Sequence, residues 1–265
     1  METRPTRAAL AAWAAAVVFF LWFPLVLICL YAFNSSNIQS WPIAGFTLHW
    51  FSVAWHDTEA RSALWLSLEA ALLATSVALV LGTMAAFAVS RFRFFGRDVV
   101  SFIVVLPIAL PGVITGIALA SFFSFGTITF SLWTIVVGHA TFCIVVVYNN
   151  VVARLRRTQT SLMEASMDLG ADGWQTFRYV TFPVVSTALI SGALLAFALS
   201  FDEVIVTTFT AGAQNTLPLW IFGNIRLGQQ LPEVNAVVFV IIAATVLPVT
   251  IAQRLTSDTG ILRRT

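Results

Sequence analysis

The sequence contains no lysine, because all 14 of its basic residues are arginine. A Walker A loop needs a lysine to reach the phosphates of ATP, so this chain cannot bind ATP in that way, and a lysine Schiff base is excluded as well. Only two cysteines are present, Cys29 and Cys143. Neither has the spacing of a metal site or a disulfide framework, and both fall in apolar runs, where we expect small buried hydrophobic residues.

Charged residues are also scarce, at 10% of 265, whereas hydrophobic residues make up 59% and the mean hydropathy is +0.90. A soluble domain carries about 25% charged residues, so the composition indicates an integral membrane protein. A helix needs about 20 mostly apolar residues to cross a bilayer. Six segments qualify, at roughly residues 10–33, 63–90, 99–123, 131–153, 184–210 and 236–253. We predict one all-α domain over residues 1–265, with six transmembrane helices embedded in a lipid bilayer.

The arginines are distributed unevenly about these segments. In the six-span topology twelve arginines lie on one side, and only Arg61 and Arg226 lie on the other. Arginine-rich loops face the cytoplasm, so both termini are expected to be cytoplasmic. The first segment follows Arg4 and Arg7 and resembles a signal peptide, but its roughly 24 uncharged residues exceed a typical signal core, which favours a retained anchor.

The two loops predicted to be external, 34–62 and 211–235, are rich in tryptophan and contain several acids. Their tryptophans are Trp41, Trp50, Trp55 and Trp220. Such residues anchor helices at a membrane interface, and we also count Trp50 as a candidate residue of a substrate pathway. Asp57, Glu59 and Glu233, with Glu69 at the start of the second span, form either a mildly acidic external mouth or a solvated loop face.

The longest internal loop, residues 154–183, mixes apolar and charged residues at helical intervals. Its apolar members are Leu155, Leu162, Met163, Leu169, Trp174, Phe177 and Val180. The pattern predicts a short amphipathic helix, a turn at Gly170 to Gly173 and a second helix leading to Pro183, which tolerates a helix start because it lacks an N–H. The short helix could lie on the bilayer surface or form a docking site for another protein.

Within this loop, Glu164-Ala165-Ser166-Met167-Asp168-Leu169-Gly170 is followed at a fixed distance by Val180-Thr181-Phe182-Pro183. This spacing resembles the EAA loop of ABC importer permeases: Glu-Ala-Ala, three residues, Gly, nine residues, then Ile-x-Leu-Pro. Ser166 replaces the second alanine, a change of one small residue for another. The resemblance implies a cytoplasmic coupling helix that docks onto an ATPase through Glu164, Ala165, Ser166, Asp168, Gly170 and Pro183.

Further segments resemble the spermidine/putrescine (PotC-like) importer permeases. They are Leu106–Pro111, Gly138–Cys143, Leu199–Glu203, Thr216–Ile221 and Pro232–Ala236. The resemblance implies the type I (MetI-like) importer permease fold in a bacterial inner membrane, with the first helix wrapped around a second, homologous permease. It also implies two copies of an ABC ATPase, which would hold ATP and Mg²⁺, and a periplasmic substrate-binding protein. We expect no cofactor, metal or nucleic acid on this chain itself.

Asp202 and Glu203 are acids at the end of a predicted span. A carboxylate within a membrane segment is costly and usually faces a bundle interior or a watery cavity. On one continuous helix Asp202 would lie about 28 Å from the start, near the outer end, and adjacent residues would point about 100° apart. Glu203 would continue the small-residue stripe Gly192, Ala196 and Ser200. Asp202 is therefore expected to face the pathway, unless it pairs structurally with a neighbouring helix.

The resemblance implies that both acids contact a cationic substrate, and we include Ser200 among the candidate pathway residues. One position departs from the spermidine permeases, which carry Ser-Pro-Asp where this chain has Leu110-Pro111-Gly112. A second acidic group for a long polyamine is therefore missing, which leaves putrescine, 4-aminobutyrate or another amine open. Gly112 and Gly116 form a G-x-x-x-G pattern typical of helix packing. His139 has no acidic neighbour in sequence and is expected to be a hydrogen-bonded packing residue rather than a proton relay.

These features together predict a permease subunit of an ATP-driven importer for polyamines or a related small amine. The alternative is a secondary transporter that works without an ATPase. It would need its own coupling-ion site and usually an inverted repeat, neither of which is visible. We do not expect an enzyme or any catalytic residue, because the chain lacks H-E-x-x-H and G-x-S-x-G patterns.

Overall fold

The computed structural model describes residues 4–159, 161–228 and 230–261, with side chains from residue 6 to residue 246 within those ranges. The side chains of Arg4 and Arg254, and all of Arg263 and Arg264, lie outside the described part, so their predicted cytoplasmic positions stay predictions. Within the described ranges the chain is helical, and its only β pairing is an isolated bridge between Asn34 and Phe46.

Twelve α-helices follow one another in the described chain. The first six are α1 (Arg4–Tyr31), α2 (His49–His56), α3 (Thr58–Arg91), α4 (Arg97–Ala109), α5 (Gly112–Phe125) and α6 (Leu132–Arg157). The next six are α7 (Ser161–Asp168), α8 (Gly173–Thr176), α9 (Phe182–Phe201), α10 (Ile205–Thr210), α11 (Leu217–Leu227) and α12 (Leu231–Ile261). A five-residue π-helical turn, Phe177–Thr181, joins α8 to α9.

The chain divides into two compact units. The terminal unit comprises Met1–Arg61 and Ile221–Thr265, and the central unit is Ser62–Trp220. The central unit contains most of α3, all of α4 to α10, and therefore both the acidic pair and the predicted coupling loop.

In the central unit α9 packs against α6 through small residues. A Cβ atom on Gly192 would lie 3.4 Å from the Cα of Val147, and the Cys143 thiol donates a 3.3 Å hydrogen bond to the Ala196 carbonyl. Close backbone approach of this kind drives helix association in lipid, where the hydrophobic effect gives no help. The prediction of a close-packing stripe at Gly192, Ala196 and Ser200 is confirmed. Cys143 is buried and free, as expected.

The buried face of α3 consists mainly of alanine. Its fully buried members are Ala63, Ala70, Ala71, Ala74, Ala78 and Ala86. At Gly82 in the same helix, an added Cβ would lie 2.9 Å from the carbonyl oxygen of Ile144 in α6. The small residues of α3 thus allow its backbone to approach α6 directly.

Two predicted spans are interrupted. Segment 99–123 was predicted to be one span, but α4 and α5 meet at an angle of 107°. The break falls at Leu110-Pro111, where Leu110 is extended (ψ 141°), because a proline clashes with a helical residue before it and cannot donate a backbone hydrogen bond. Segment 184–210 is also interrupted, since α9 ends at Phe201 and the helix resumes at Ile205.

Four helices of the described chain are long and apolar enough to cross a membrane: Thr6–Tyr31, Thr58–Arg91, Leu132–Arg157 and Gly173–Phe201. The number rises to five if α4 and α5 form one broken span. The described apolar part of α12, Leu231–Val246, is shorter. The all-α membrane class is confirmed, whereas six spans are more than helix length and composition alone support.

In the terminal unit α1 leaves its apolar side chains exposed. Trp13, Phe19 and Phe20 are each 68% exposed or more. An uncovered apolar helix surface of this extent indicates contact with lipid or with another protein. Elsewhere in this unit the rings of Phe33, Phe51 and Phe239 pack together, with centroids 5.0 to 5.6 Å apart.

Candidate substrate cleft and coupling loop

The acidic pair lies at the break between α9 and α10. Asp202 follows the last residue of α9, and its side chain is exposed. Glu203 is half-buried, and its Oε1 accepts a 2.9 Å hydrogen bond from the backbone N–H of Val206 in the first turn of α10. A carboxylate in this position satisfies an otherwise free N–H and is favoured by the helix dipole. The Glu203 side chain is therefore held in a defined orientation.

The break changes the geometry that was predicted for this pair. Because α9 ends at Phe201, the assumption that Asp202 and Glu203 point about 100° apart on one helix is wrong. Glu203 also does not continue the small-residue stripe, which ends at Ser200. Glu203, rather than Asp202, lines the cleft that lies beside the break.

This cleft has a volume of about 200 Å³ and lies within the central unit. Its apolar wall includes Leu110, Phe142 and Leu199, and its polar groups are Glu203 and the hydroxyls of Thr115 and Thr141. The Thr141 hydroxyl donates to the Gly138 carbonyl over 2.6 Å, whereas the buried Thr115 Oγ1 has no hydrogen-bond partner. Apolar walls with a few convergent polar groups are typical of small-molecule sites.

Thr115, Thr141 and Phe142 line the cleft, but the sequence does not single them out. The only indication of such a role is the hydroxyl groups of the two threonines within otherwise apolar helices. Their convergence on Glu203 depends on the bend between α4 and α5, which the sequence did not predict.

His139 bridges the two sides of the helix break. Its Nδ1 lies 2.7 Å from Ser200 Oγ in α9, and its Nε2 lies 2.7 Å from Thr207 Oγ1 in α10. The Thr207 hydroxyl donates its one proton to the Glu203 carbonyl oxygen over 2.7 Å, so His139 must donate from Nε2 and accept from Ser200 at Nδ1. The prediction of a hydrogen-bonded packing residue is confirmed.

Two candidate pathway residues have partners elsewhere. Ser200 is buried, at 2% exposure, and is hydrogen-bonded to His139. Trp50 belongs to the terminal unit, where its indole N–H donates to the Asn34 carbonyl over 2.8 Å. The structure therefore brings Glu203 to the cleft but gives neither Ser200 nor Trp50 a place in the cleft lining.

The G-x-x-x-G pattern in α5 packs against α10. A Cβ on Gly116 would lie 2.5 Å from the ring of Phe209, and one on Gly112 would lie 3.4 Å from Ile205. The packing interpretation is confirmed. Gly112 also lines the cleft, so the missing acidic group would have been located next to Glu203.

The predicted coupling loop begins with α7, which ends in a tight corner. Gly170 has φ of +87°, the left-handed conformation that favours glycine. The Ala171 N–H donates to the Ser166 carbonyl and the Gly170 N–H to the Met167 carbonyl, which together form a Schellman motif. Asp172 then caps α8 by accepting from the Gln175 N–H over 2.7 Å. A short helix and a turn at Gly170 to Gly173 are thus present, as predicted, whereas the coupling role of this helix stays a prediction.

The second helix of the loop does not stop at Pro183. The α-helix α9 begins at Phe182 with Pro183 in its first turn, as predicted, but no break precedes it, because the chain is helical from Gly173 to Phe201. The π-helical turn Phe177–Thr181 precedes the proline. Such a wide turn accommodates a proline inside a helix, where the ring would otherwise clash with a backbone carbonyl.

Several apolar side chains of the coupling loop are uncovered. Leu169 is 89% exposed, and Leu162, Met167 and Trp174 are also exposed. Glu164, Ala165 and Asp168 are exposed beside them, whereas Ser166 is half-buried and hydrogen-bonded to Thr176. An apolar patch rimmed by charged residues is typical of a protein interaction surface. Among the residues with described side chains, no three His, Cys, Asp or Glu converge closely enough to hold a metal ion.

Comparisons with known proteins agree with this architecture. Residues 78–257 match the family described as "Binding-protein-dependent transport system inner membrane component". A solved structure described as a bacterial ABC transporter involved in the import of the acidic polysaccharide alginate has the same fold. It superposes with a TM-score of 0.73 over 96% of this chain and 98% of that chain, at 17% identity.

Three curated relatives are similar over most of their length. The putrescine transport system permease protein PotI of Escherichia coli K12 is 37% identical over 85% of this chain and 82% of its own. The spermidine/putrescine transport system permease protein PotC of the same organism is 30% identical over 92% of both chains. A putative 2-aminoethylphosphonate transport system permease protein, PhnV of Salmonella paratyphi A, is 29% identical over 97% of both. The chain belongs to the family of inner membrane components of binding-protein-dependent transport systems, with the type I ABC importer permease fold.

Proposed function

We propose that this chain is a permease subunit of an ATP-driven importer for a small primary amine, with putrescine as the best candidate. The observation that carries this proposal is the cleft at the helix break, which the Glu203 carboxylate and the Thr115 hydroxyl line together with apolar walls. A carboxylate binds an ammonium group through charge-assisted hydrogen bonds, and the walls suit a short methylene chain. The three relatives support this class, because each is named for a compound that carries a primary amine.

The cleft also favours a short amine over a long polyamine. Its lining contains one carboxylate, and the position where the spermidine permeases carry an acid is Gly112. A long polyamine has additional ammonium groups that need separate partners, because an unpaired charge in a membrane site is costly. Asp202 is exposed close by and is proposed as a second contact during entry or release.

We propose a topology of six spans with both termini in the cytoplasm of a bacterial inner membrane. The spans are α1, α3, the bent pair α4 and α5, α6, the part of the continuous helix Gly173–Phe201 that follows Pro183, and the part of α12 from about residue 236. The uneven distribution of arginine supports this orientation. The exposed apolar face of α1 is proposed to pack against a second, homologous permease, since the described part of its own unit leaves Trp13, Phe19 and Phe20 exposed.

The coupling loop is proposed to dock onto one of two ABC ATPase subunits. ATP and Mg²⁺ would be bound there, because this chain has no lysine for a Walker A loop. A periplasmic binding protein would deliver the amine from the outside. The exposed apolar residues around α7 would then be buried against the ATPase, which explains why Leu169 can be exposed on this chain alone.

The proposal is tested by uptake of labelled putrescine, spermidine and 4-aminobutyrate in cells that express the whole transporter. Hydrogen bonds to charged groups contribute about 1.5 to 3 kcal/mol, so Glu203→Gln should weaken uptake about 10- to 150-fold. Asp202→Asn should have a smaller effect. Asp98→Asn is the matched control, since Asp98 is an exposed acid in the first turn of α4, outside the cleft lining.

Uptake of putrescine that is insensitive to both Glu203→Gln and Asp202→Asn would refute the proposed role of the acidic pair. Uptake of none of the three amines by a correctly inserted transporter would refute the amine class. Uptake that persists in cells without any partner ATPase would instead identify a secondary transporter.

A further inference from the structure

Two acids that are distant in sequence meet in the terminal unit. Asp57 directly follows α2, and Glu233 lies in the first turn of α12, before the apolar run predicted to span the membrane at 236–253. Their carboxyl groups lie close enough together to share a proton. Both line an open cleft of about 460 Å³, together with Ser52, His56 and Gln230. The cleft thus joins the two loops that were predicted to be external.

The two carboxyl groups have different environments. Asp57 Oδ1 accepts a 2.7 Å hydrogen bond from the Glu59 N–H at the start of α3. Glu233 is 2% exposed, and its Oε1 is buried with no hydrogen-bond partner. A buried acceptor without a donor costs about 1 to 3 kcal/mol. The cleft therefore lacks a hydrogen-bond donor directed at Glu233.

The neighbouring charged groups do not supply this donor. His56 Nδ1 donates to the Ser52 carbonyl over 2.7 Å, and Arg61 Nε donates to the Asp57 carbonyl over 3.4 Å. Burial, the hydrogen bond to Asp57 and the negative charge of Asp57 raise the pKa of Glu233 to about 7. Below that pH Glu233 is protonated and donates its proton to Asp57. Above it, the two carboxylates repel each other.

The chemistry of the cleft points to an organic cation. Among the residues with described side chains, no three metal-ligating groups converge closely enough for a metal ion. A primary ammonium has three N–H donors and can bond to both carboxylates while its carbon chain extends into the open part of the cleft. We propose that this cleft binds a primary ammonium group, which replaces the proton shared by Asp57 and Glu233.

The amine class of this ligand rests on the proposed function, whereas the cleft itself rests on the buried Glu233 Oε1, which has no hydrogen-bond partner among the described residues. The site would lie on the outer side of the proposed topology, in the terminal unit, whereas Glu203 belongs to the central unit. It would give the permease a contact for the amine in addition to the cleft at the helix break. Because the ammonium binds the ionised pair, its affinity should fall as the pH falls below about 7 and Glu233 takes up a proton.

The test is calorimetric titration of the assembled transporter with 1,4-diaminobutane, in buffers that differ in ionisation enthalpy. The wild type should release about one proton per bound amine near pH 6, and the affinity there should be about tenfold weaker than at pH 8. Glu233→Gln should abolish the proton release, and Asp57→Asn should abolish it as well. Glu59→Gln, which removes the same charge from an exposed residue outside the cleft, should retain it, and so should Glu203→Gln.

Proton release and affinity that are unchanged in Glu233→Gln would overturn the site, and so would an equal loss in Glu59→Gln. The two proposals fail separately. If the diamine binds with proton release that depends on Glu233 but cells do not take up putrescine, the external site is supported and putrescine is refuted as the transported substrate. If uptake depends on Glu203 but proton-linked binding does not depend on Glu233, only the site at Asp57 and Glu233 is refuted.

Discussion

The hydrogen bonds of His139 should stabilise the helix break measurably. His139 connects Ser200 at the end of α9 with Thr207 in α10, and all three side chains are at most 2% exposed. The decisive perturbation is a pair of double-mutant cycles, in which His139→Ala is combined with Ser200→Ala and with Thr207→Ala. A cycle isolates the interaction between the two residues from the cost of each single change.

The magnitudes follow from the geometry. Double-mutant cycles for side-chain hydrogen bonds within membrane proteins average about 0.6 kcal/mol and reach about 1.7 kcal/mol, so each 2.7 Å bond of His139 should give a coupling energy in that range. His139→Ala alone should cost about 3 to 5 kcal/mol. It leaves a cavity, and it also leaves the Ser200 hydroxyl without its partner. The Thr207 hydroxyl keeps the Glu203 carbonyl as its acceptor when His139 is removed. The part of the destabilisation that arises at Thr207 should therefore be smaller than the part that arises at Ser200.

The assay is reversible unfolding in mixed micelles, with the free energy of unfolding measured for each variant. Thr208→Ala supplies the control cycle, since Thr208 is exposed and its hydroxyl donates to the Val204 carbonyl instead. Its coupling to His139 should be zero. Coupling energies near zero for both Ser200 and Thr207 would refute the assignment of His139 as the link across the break.

Further predictions concern glycines of the central unit and of α11. Gly82→Ala should destabilise the chain by about 1 to 3 kcal/mol, because the new Cβ would lie 2.9 Å from the Ile144 carbonyl. Gly223→Ala, where no atom lies within 4 Å of the new Cβ, should be neutral or stabilise by up to about 1 kcal/mol in the same unfolding assay. Gly170→Trp should leave the chain inserted but abolish uptake and co-purification of the ATPase, since φ of +87° is strained for any side chain. Normal uptake by Gly170→Trp would refute the docking role, and Gly173→Ala in the same loop should transport normally.

The long helices could be predicted from the sequence alone. Segment 63–90 corresponds to α3 at Thr58–Arg91, and segment 131–153 corresponds to α6 at Leu132–Arg157. A run of apolar residues is sufficient for this, because a backbone in lipid must satisfy its hydrogen bonds within the helix. The corner at Gly170 was also predictable, since it depends on local turn chemistry.

The helix breaks were not predicted, although one had a visible cause. The mean hydropathy of a span hardly changes when one residue breaks the helix, so the apolar segment 99–123 gives no sign of the break at Pro111. Asp202 and Glu203 stand out in the sequence as acids, but the apolar residues around them favour a helix that continues through both. Without the helix break, their relative orientation cannot be derived, and neither can the identity of the acid that lines the cleft.

Contacts between segments that are far apart in the sequence could not be predicted from local sequence patterns. The expectation for His139 named a hydrogen-bonded residue but not Ser200 or Thr207 as partners. Asp57 and Glu233 were noted as acids on the same predicted side of the membrane, and nothing in their surroundings in sequence indicates that they share a proton. Such pairings arise from helix packing, which places residues together irrespective of their separation along the chain.

The continuous helix from Gly173 to Phe201 has a mechanical consequence. Its 29 residues extend over about 43 Å at 1.5 Å per residue. One end is fixed to α7 by the Gly170 corner and the bond between Ser166 and Thr176, and the other end leads directly into Asp202 and Glu203. The segment can therefore act as a lever, in which each degree of tilt at the coupling loop displaces the acidic end by about 0.75 Å. A rotation of about 7° would move that end by roughly the pitch of one helical turn, so a small movement at α7 would be enough to change the position of Glu203 in the cleft.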